Sequence, residues 1–116
     1  MLANNETGVM NDLAEVTRLC NHYDIPVHSD IVQAVGKVDF RMESCGLSSV
    51  TVAAHKVHGP VGIGALIVPS DAKDRPMIVG GGQQLGWRAG TEPVVLATGL
   101  AATLELADQA RSEGSY

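Results

Sequence analysis

Ser48-Ser49-Val50-Thr51-Val52-Ala53-Ala54-His55-Lys56-Val57-His58-Gly59-Pro60 is the stretch that decides the fold of this chain. Its first half, residues 48–54, is rich in β-branched side chains and predicts a short buried strand. The strand runs straight into a histidine and a lysine, and then into a glycine loop over 59–64. Working outward, residues 65–68 predict a third short strand and residues 25–29 an earlier one. Pro26 sits near the start of that earlier strand, where a missing amide donor is tolerated. Before it, Asn11 or Asp12 caps a helix running to about His22. Leu13, Val16, Leu19, Cys20 and Tyr23 recur on one face of this helix, which predicts a buried Cys20. After the glycines at 80–82, Thr91 is expected to cap a last helix, with Pro93 in its first turn. Its apolar face comprises Val94, Leu96, Ala97, Leu100, Ala101, Leu104 and Ala107, and residues 111–116 are expected to fray. Strands alternating with helices predict an α/β layer architecture.

Composition supports that reading and removes several function classes. The chain has 116 residues and a hydrophobic fraction of 45%, enough for one core. Aromatics are only 3%, so the core must be built from Val, Ile, Leu and Ala, as in buried strands and their covering helices. The formal net charge is -5 with no basic stripe, which argues against nucleic acid as a partner. The most apolar stretch, residues 94–107, is interrupted by Thr98, Gly99, Thr103 and Glu105, so no membrane span is expected. Cys20 and Cys45 show no metal or redox spacing, and free thiols imply a cytoplasmic protein. Met1-Leu2-Ala3 reads as the tail of a strand and Asn4 to Gly8 as the loop after it, so the chain is expected to begin inside a larger protein.

The candidate chemistry gathers at strand ends. In open α/β sheets, ligands collect beyond the carboxyl ends of strands. Asp30 follows the first strand and His55-Lys56 follows the second, so an acid and an amine stand at equivalent places. A lysine between an apolar strand and a glycine loop suits Schiff-base chemistry; taken alone, a solvated surface lysine is the commoner case. His55 and His58 are three apart, but no acidic or cysteine ligand completes a metal set, and none is predicted. The loop over 59–64 carries neither the lysine and hydroxyl of a P-loop nor the dinucleotide pattern. A nucleotide-binding α/β domain therefore has only glycine loops in its favour.

Five segments together resemble the cysteine desulfurases, of the class-V aminotransferase group among the fold-type I pyridoxal-phosphate enzymes. They are Leu2-Ala3-Asn4-Asn5-Glu6-Thr7-Gly8; His28-Ser29-Asp30 with Gln33-Ala34-Val35-Gly36-Lys37; His55-Lys56-Val57-His58-Gly59-Pro60; Gly62-Ile63-Gly64-Ala65-Leu66; and Gly80-Gly81-Gly82-Gln83-Gln84 with Arg88-Ala89-Gly90-Thr91-Glu92. They stand in the family's order and at nearly its spacing. The resemblance implies that residues 1–116 are part of the large cofactor-binding domain, a mostly parallel sheet with helices. The part before it and the small C-terminal domain lie outside this segment.

By position, the resemblance implies that Lys56 is the catalytic lysine that holds pyridoxal 5'-phosphate covalently. Asp30 matches the carboxylate beneath the pyridine nitrogen and Gln33 the side chain that bonds the phenolic oxygen. Asn5 matches a cofactor-contacting asparagine and His55 a phosphate-site histidine. Thr91 matches a threonine that reaches the phosphate in a neighbouring subunit, implying a homodimer. The implied reaction turns L-cysteine into L-alanine, with the sulfur passed as an enzyme persulfide towards a sulfur-acceptor protein, as in iron–sulfur cluster assembly. The family's persulfide cysteine lies downstream of this segment, and neither Cys20 nor Cys45 matches it, so the isolated chain is expected to be inactive. Two departures stand out: Ala53 replaces a common serine or threonine, and Gln84 a common glutamate. Selenocysteine lyase, another class-V enzyme or a degenerate non-catalytic piece are the alternatives.

Overall fold

The computed structural model describes residues 1–72 and 75–115; Tyr116, part of the expected frayed end, lies outside the described residues. Helix α1 (Leu13–Asn21) is followed by strands β1 (His28–Asp30), β2 (Ser49–Ala53) and β3 (Gly64–Ile67) and by helix α2 (Val94–Ser112). The strands form one sheet in the order β1-β2-β3. β1 and β2 run parallel, with His28 opposite Ser49 and Asp30 opposite Thr51. β2 and β3 run antiparallel, with Val52 opposite Ala65 and Ala53 opposite Gly64. The α/β class expected from sequence holds, and the sheet is mixed. Its antiparallel edge follows from chain length, because residues 54–63 are too few for the crossover that a parallel pair requires.

The first strand differs from the expectation. It covers His28–Asp30 and not residues 25–29, so Asp30 is its last residue. Pro26 lies before the ladder begins, where its missing N–H costs nothing. The amide of Leu2 donates to the carbonyl of Asp30 at 2.8 Å, which sets the N-terminal segment beside β1. Ala3 and Met10 then bridge antiparallel across the loop between them.

Alternation along β2 decides which face is core. Val50 and Val52 are buried while Ser49, Thr51 and Ala53 are half-buried. Val50 and Val52 join Leu2, Leu13, Ile31, Ala34 and Leu47 in the main cluster. Each buried valine contributes about 1.5–3 kcal/mol relative to exposure. The opposite face carries His28, Asp30, Ser49 and Thr51 and is polar.

Helix α1 packs differently from its apolar stripe, whereas α2 buries two residues of its own. Asp12 caps α1, its Oδ1 accepting from the Glu15 amide at 3.0 Å. Of the expected face only Leu13 is buried; Val16, Leu19 and Tyr23 are exposed and Cys20 is intermediate, which corrects the expectation of a buried thiol. The helix docks instead through Leu13 and Thr17, and the Thr17 hydroxyl reaches the Cys45 carbonyl. That hydrogen bond orients the helix, and the turn at Gly46, with a left-handed φ of 65°, accommodates it.

Helix α2 begins at Val94, with Pro93 at its N-cap and no side-chain cap. Thr91 is therefore not the capping residue. Proline lacks the N–H that a helix start leaves unpaired anyway, so it can open the helix without a hydroxyl partner. Leu100 and Ala107 are the buried residues of α2, while Val94 and Val95 are exposed. The end is helical through Ser112, where fraying was expected. Arg111 holds it, donating to Asp108 at 2.8 Å and reaching Asp39 at 3.7 Å. The hydrogen bond to Asp108 raises the Arg111 pKa above its ordinary value.

Candidate active site

Parallel pairing of β1 and β2 makes their carboxyl ends neighbours on one sheet edge. Asp30 is the last residue of β1. The 3-10 turn Ala54–Lys56 follows β2 without a gap and carries His55 and Lys56, both exposed. The fold therefore sets the segment ends that carry Asp30 and Lys56 at the same edge of the sheet. Asn5 lies three residues beyond Leu2, itself bonded to Asp30, and Gln33 lies in the turn that leaves β1.

A local hydrogen bond fixes Asp30. Asp30 Oδ1 accepts from the Val32 amide at 2.8 Å, which fixes the carboxylate's orientation. Its other oxygen has no hydrogen-bond partner among the described residues, and Lys56 has no ion-pair partner among them. In the first loop, Asn4 and not Asn5 builds the turn: Asn4 Oδ1 accepts from the amides of Glu6 at 2.9 Å and Thr7 at 3.1 Å. The exposed Asn5 side chain takes no part in that turn.

The turn bearing Lys56 is tightly closed. The Ala54 carbonyl accepts from the amides of both Val57 at 3.0 Å and Gly59 at 2.9 Å. His58 adopts a left-handed φ of 62°, an uncommon conformation for a residue with a Cβ. A Cβ on Gly59 would meet the Ala54 carbonyl at 2.9 Å and Thr103 Oγ1 at 2.7 Å, so only glycine fits. Among the described residues no cluster of metal-ligating side chains is present.

Thr91 lies on a different segment from the others. It is exposed and precedes α2 at the end of the 80–90 loop, with no hydrogen bond to Asn5, Asp30, Gln33, His55 or Lys56. Its loop is ordered by its own contacts. Ala89 donates to the Ile78 carbonyl at 3.1 Å, and Gln84 Nε2 donates to Glu92 Oε1 at 2.8 Å. Gln84 itself has a left-handed φ of 52°. An amide at position 84 can donate to Glu92, whereas a glutamate there would face a like charge. That gives the Gln84 departure a physical consequence.

Sequence reasoning assigned no role to His28, yet it faces the same side of the sheet as Asp30. Its Nδ1 lies 2.9 Å from Ser49 Oγ and its Nε2 3.5 Å from Thr51 Oγ1. The signal was present in the sequence, since residues two apart on a strand share a face.

The class-V aminotransferase family matches this chain over residues 1–114. The chain belongs to that family. Among curated relatives, it is 43% identical over 108 residues to a cysteine desulfurase of Nostoc sp., covering 91% of this chain and 27% of that protein. It is 39% identical over 115 residues to an IscS-like cysteine desulfurase of Mycobacterium tuberculosis, covering 99% of this chain and 29% of the relative. Among solved structures, a NifS-like protein from Rickettsia africae matches with a TM-score of 0.91 and 38% identity, over 97% of this chain and 31% of that one. SspA in complex with cysteine matches with a TM-score of 0.84 and 37% identity, over 90% of this chain and 30% of that one. The chain thus spans less than a third of the length of these relatives.

Class-V aminotransferases are pyridoxal-phosphate enzymes, and the residues present fit that group at its ring end. Asp30 has one oxygen available and Lys56 has no ion-pair partner among the described residues, on segments that leave adjacent parallel strands. At the phosphate end the set is thinner. Ala53, the last residue of β2, offers no hydroxyl.

Proposed function

We propose that this chain is the cofactor-lysine segment of a pyridoxal-phosphate-dependent cysteine desulfurase, and that residues 1–116 are part of its large domain. The observation that carries the reading is the placement of Asp30 and Lys56 at the ends of adjacent parallel strands. The similarity to proteins named cysteine desulfurases supports the choice within the family.

In this reading Lys56 Nζ binds the cofactor covalently, Asp30 bonds its ring nitrogen and Gln33 its phenolic oxygen. Asn5 contacts the ring, and His55 binds the phosphate. Thr91, which is exposed, serves the phosphate site of a second copy, which makes the protein a homodimer. Bound there, pyridoxal phosphate supplies an electron sink for the bond broken at the substrate α-carbon. The Asp30 carboxylate holds a proton at the ring nitrogen, because a negative charge alongside favours the protonated form. With the cofactor in place, Lys56 Nζ would take the substrate α-proton and later return one to carbon. The substrate is L-cysteine. Its sulfur passes to a cysteine thiol of the whole protein, giving a persulfide and L-alanine, and from there to an acceptor protein. We place the protein in the cytoplasm; no helix of the described residues is long and apolar enough to cross a membrane.

The test is substrate turnover by the full-length protein loaded with pyridoxal phosphate. Alanine formed from L-cysteine in step with reductant-released sulfide supports the reading. Turnover of selenocysteine alone would make it a selenocysteine lyase, and amino-group transfer to a keto acid without sulfide would move it elsewhere in the family.

A further inference from the structure

Helix α2 touches the Lys56 turn at a single tight seam. Gly99 stands against the ring of Pro60, four residues beyond Lys56, and a Cβ on Gly99 would lie 2.9 Å from Pro60 Cγ and 3.2 Å from Cδ. One helical turn on, Thr103 Oγ1 approaches Gly59 so closely that a Cβ there would lie 2.7 Å away. The Thr103 hydroxyl is turned back onto its own helix, 3.0 Å from the carbonyls of Gly99 and Leu100. Ala54 and Val57 of the turn and Leu100 and Ala107 of α2 are buried.

Glycine in the middle of a helix weakens it relative to alanine, so a helix alone gives no reason for one at position 99. The reason lies across the seam. A pyrrolidine ring is stiff and part of the backbone, so it cannot swing aside as a long side chain would. The Ala54 carbonyl closes the turn from 54 to 59 with two hydrogen bonds, which couples a shift at Pro60 back to Lys56.

We propose that Gly99 and Pro60 form a positioning contact for Lys56, with α2 acting as the stop that sets where the amine stands over the sheet edge. The inference rests on the assignment of Lys56 as the cofactor lysine and goes beyond it by naming residues that touch neither cofactor nor substrate.

The test is a double-mutant cycle in the full-length protein loaded with pyridoxal phosphate. In Gly99→Ala the new methyl must move about 0.5 Å to reach ordinary contact at 3.4 Å. Displacements of that order near a reacting group cost about tenfold in rate, so kcat for L-cysteine is expected to fall about tenfold with KM little changed. The visible absorption of the lysine-bound cofactor should change, and its reduction by borohydride should slow. The melting temperature should hold or fall slightly, since the gain in helix preference is offset by the overpacked contact. Pro60→Ala alone cannot clash, but it removes the stop, and kcat should fall about fivefold. Combining the two substitutions refills the seam and should bring kcat and the spectrum back to within about threefold of wild type.

Wild-type kcat and spectrum in either single variant would overturn the proposal. So would a loss in Gly99→Ala that Pro60→Ala does not relieve. Should Gly99→Ala not fold, Pro60→Ala and the double variant still decide the matter. Failure of the wild-type protein to carry the cofactor on Lys56 is a separate outcome, and it sinks the assignment of that lysine instead.

Discussion

Substituting Gly64 by alanine tests how firmly β3 holds β2, and through β2 the Lys56 turn. Gly64 opens β3 opposite Ala53, the last residue of β2. A Cβ at Gly64 would lie 2.6 Å from the backbone carbonyl oxygen of Val52 and must retreat about 0.8 Å to reach ordinary contact. No rotamer can relieve a clash between a Cβ and a backbone atom. The strands must separate, which strains the bond from the Ala54 amide to the Ile63 carbonyl, 3.1 Å long in the native structure. Losing that bond costs about 1 kcal/mol. Overpacking adds about 1–3 kcal/mol, so the expected destabilisation is about 2–4 kcal/mol. Gly82→Ala is the internal control, because a Cβ there meets nothing within 4 Å and its φ of -82° suits any residue. Urea titration of the full-length protein by far-UV circular dichroism gives both values from the midpoint shift at constant m. Equal midpoints for the two variants would refute the reasoning.

Three further outcomes are expected. Asp12→Ala removes the cap of α1 and should cost about 1 kcal/mol, whereas Asp12→Asn should cost little; thermal melts of both decide. Val50→Ala, at a position only 1% exposed, should cost about 2 kcal/mol, while Val95→Ala, at 85% exposure, should change stability by less than about 0.5 kcal/mol. Similar melting shifts for the two valines would contradict the burial pattern. Gln84→Glu sets a second carboxylate against Glu92 in place of the 2.8 Å amide bond. It should raise protease cleavage in the 80–92 loop at neutral pH, and less so at high salt or at pH below the carboxylate range. Cleavage unchanged at low salt would show that this hydrogen bond does not order the loop.

Much of the fold was legible because its signals are local. Val50 and Val52 alternate with smaller polar residues, and that period of two names both the strand and its buried face. Asp12 is a recognisable helix cap. The helix faces were less legible, because an apolar stripe shows which side seeks cover but not what lies there. Val16 and Leu19 of α1, continued by Tyr23 after it, form such a stripe, yet this chain packs Leu13 and Thr17. A threonine whose hydroxyl reaches a distant carbonyl leaves no periodic trace. Thr91 looked like a cap by residue type, but Pro93 opens the helix without one. That β1 and β2 end side by side, ahead of Lys56, followed from two strand ends. The seam between Gly99 and Pro60, 39 positions apart in the chain, depends on tertiary contact and could not be read from either segment alone.

The most direct measurement is borohydride reduction of the full-length protein with pyridoxal phosphate, followed by peptide mass mapping. The account predicts one pyridoxyl adduct per chain, on Lys56, and its loss in Lys56→Ala. An adduct on Lys37 or on any other lysine, with Lys56 unmodified, would contradict it.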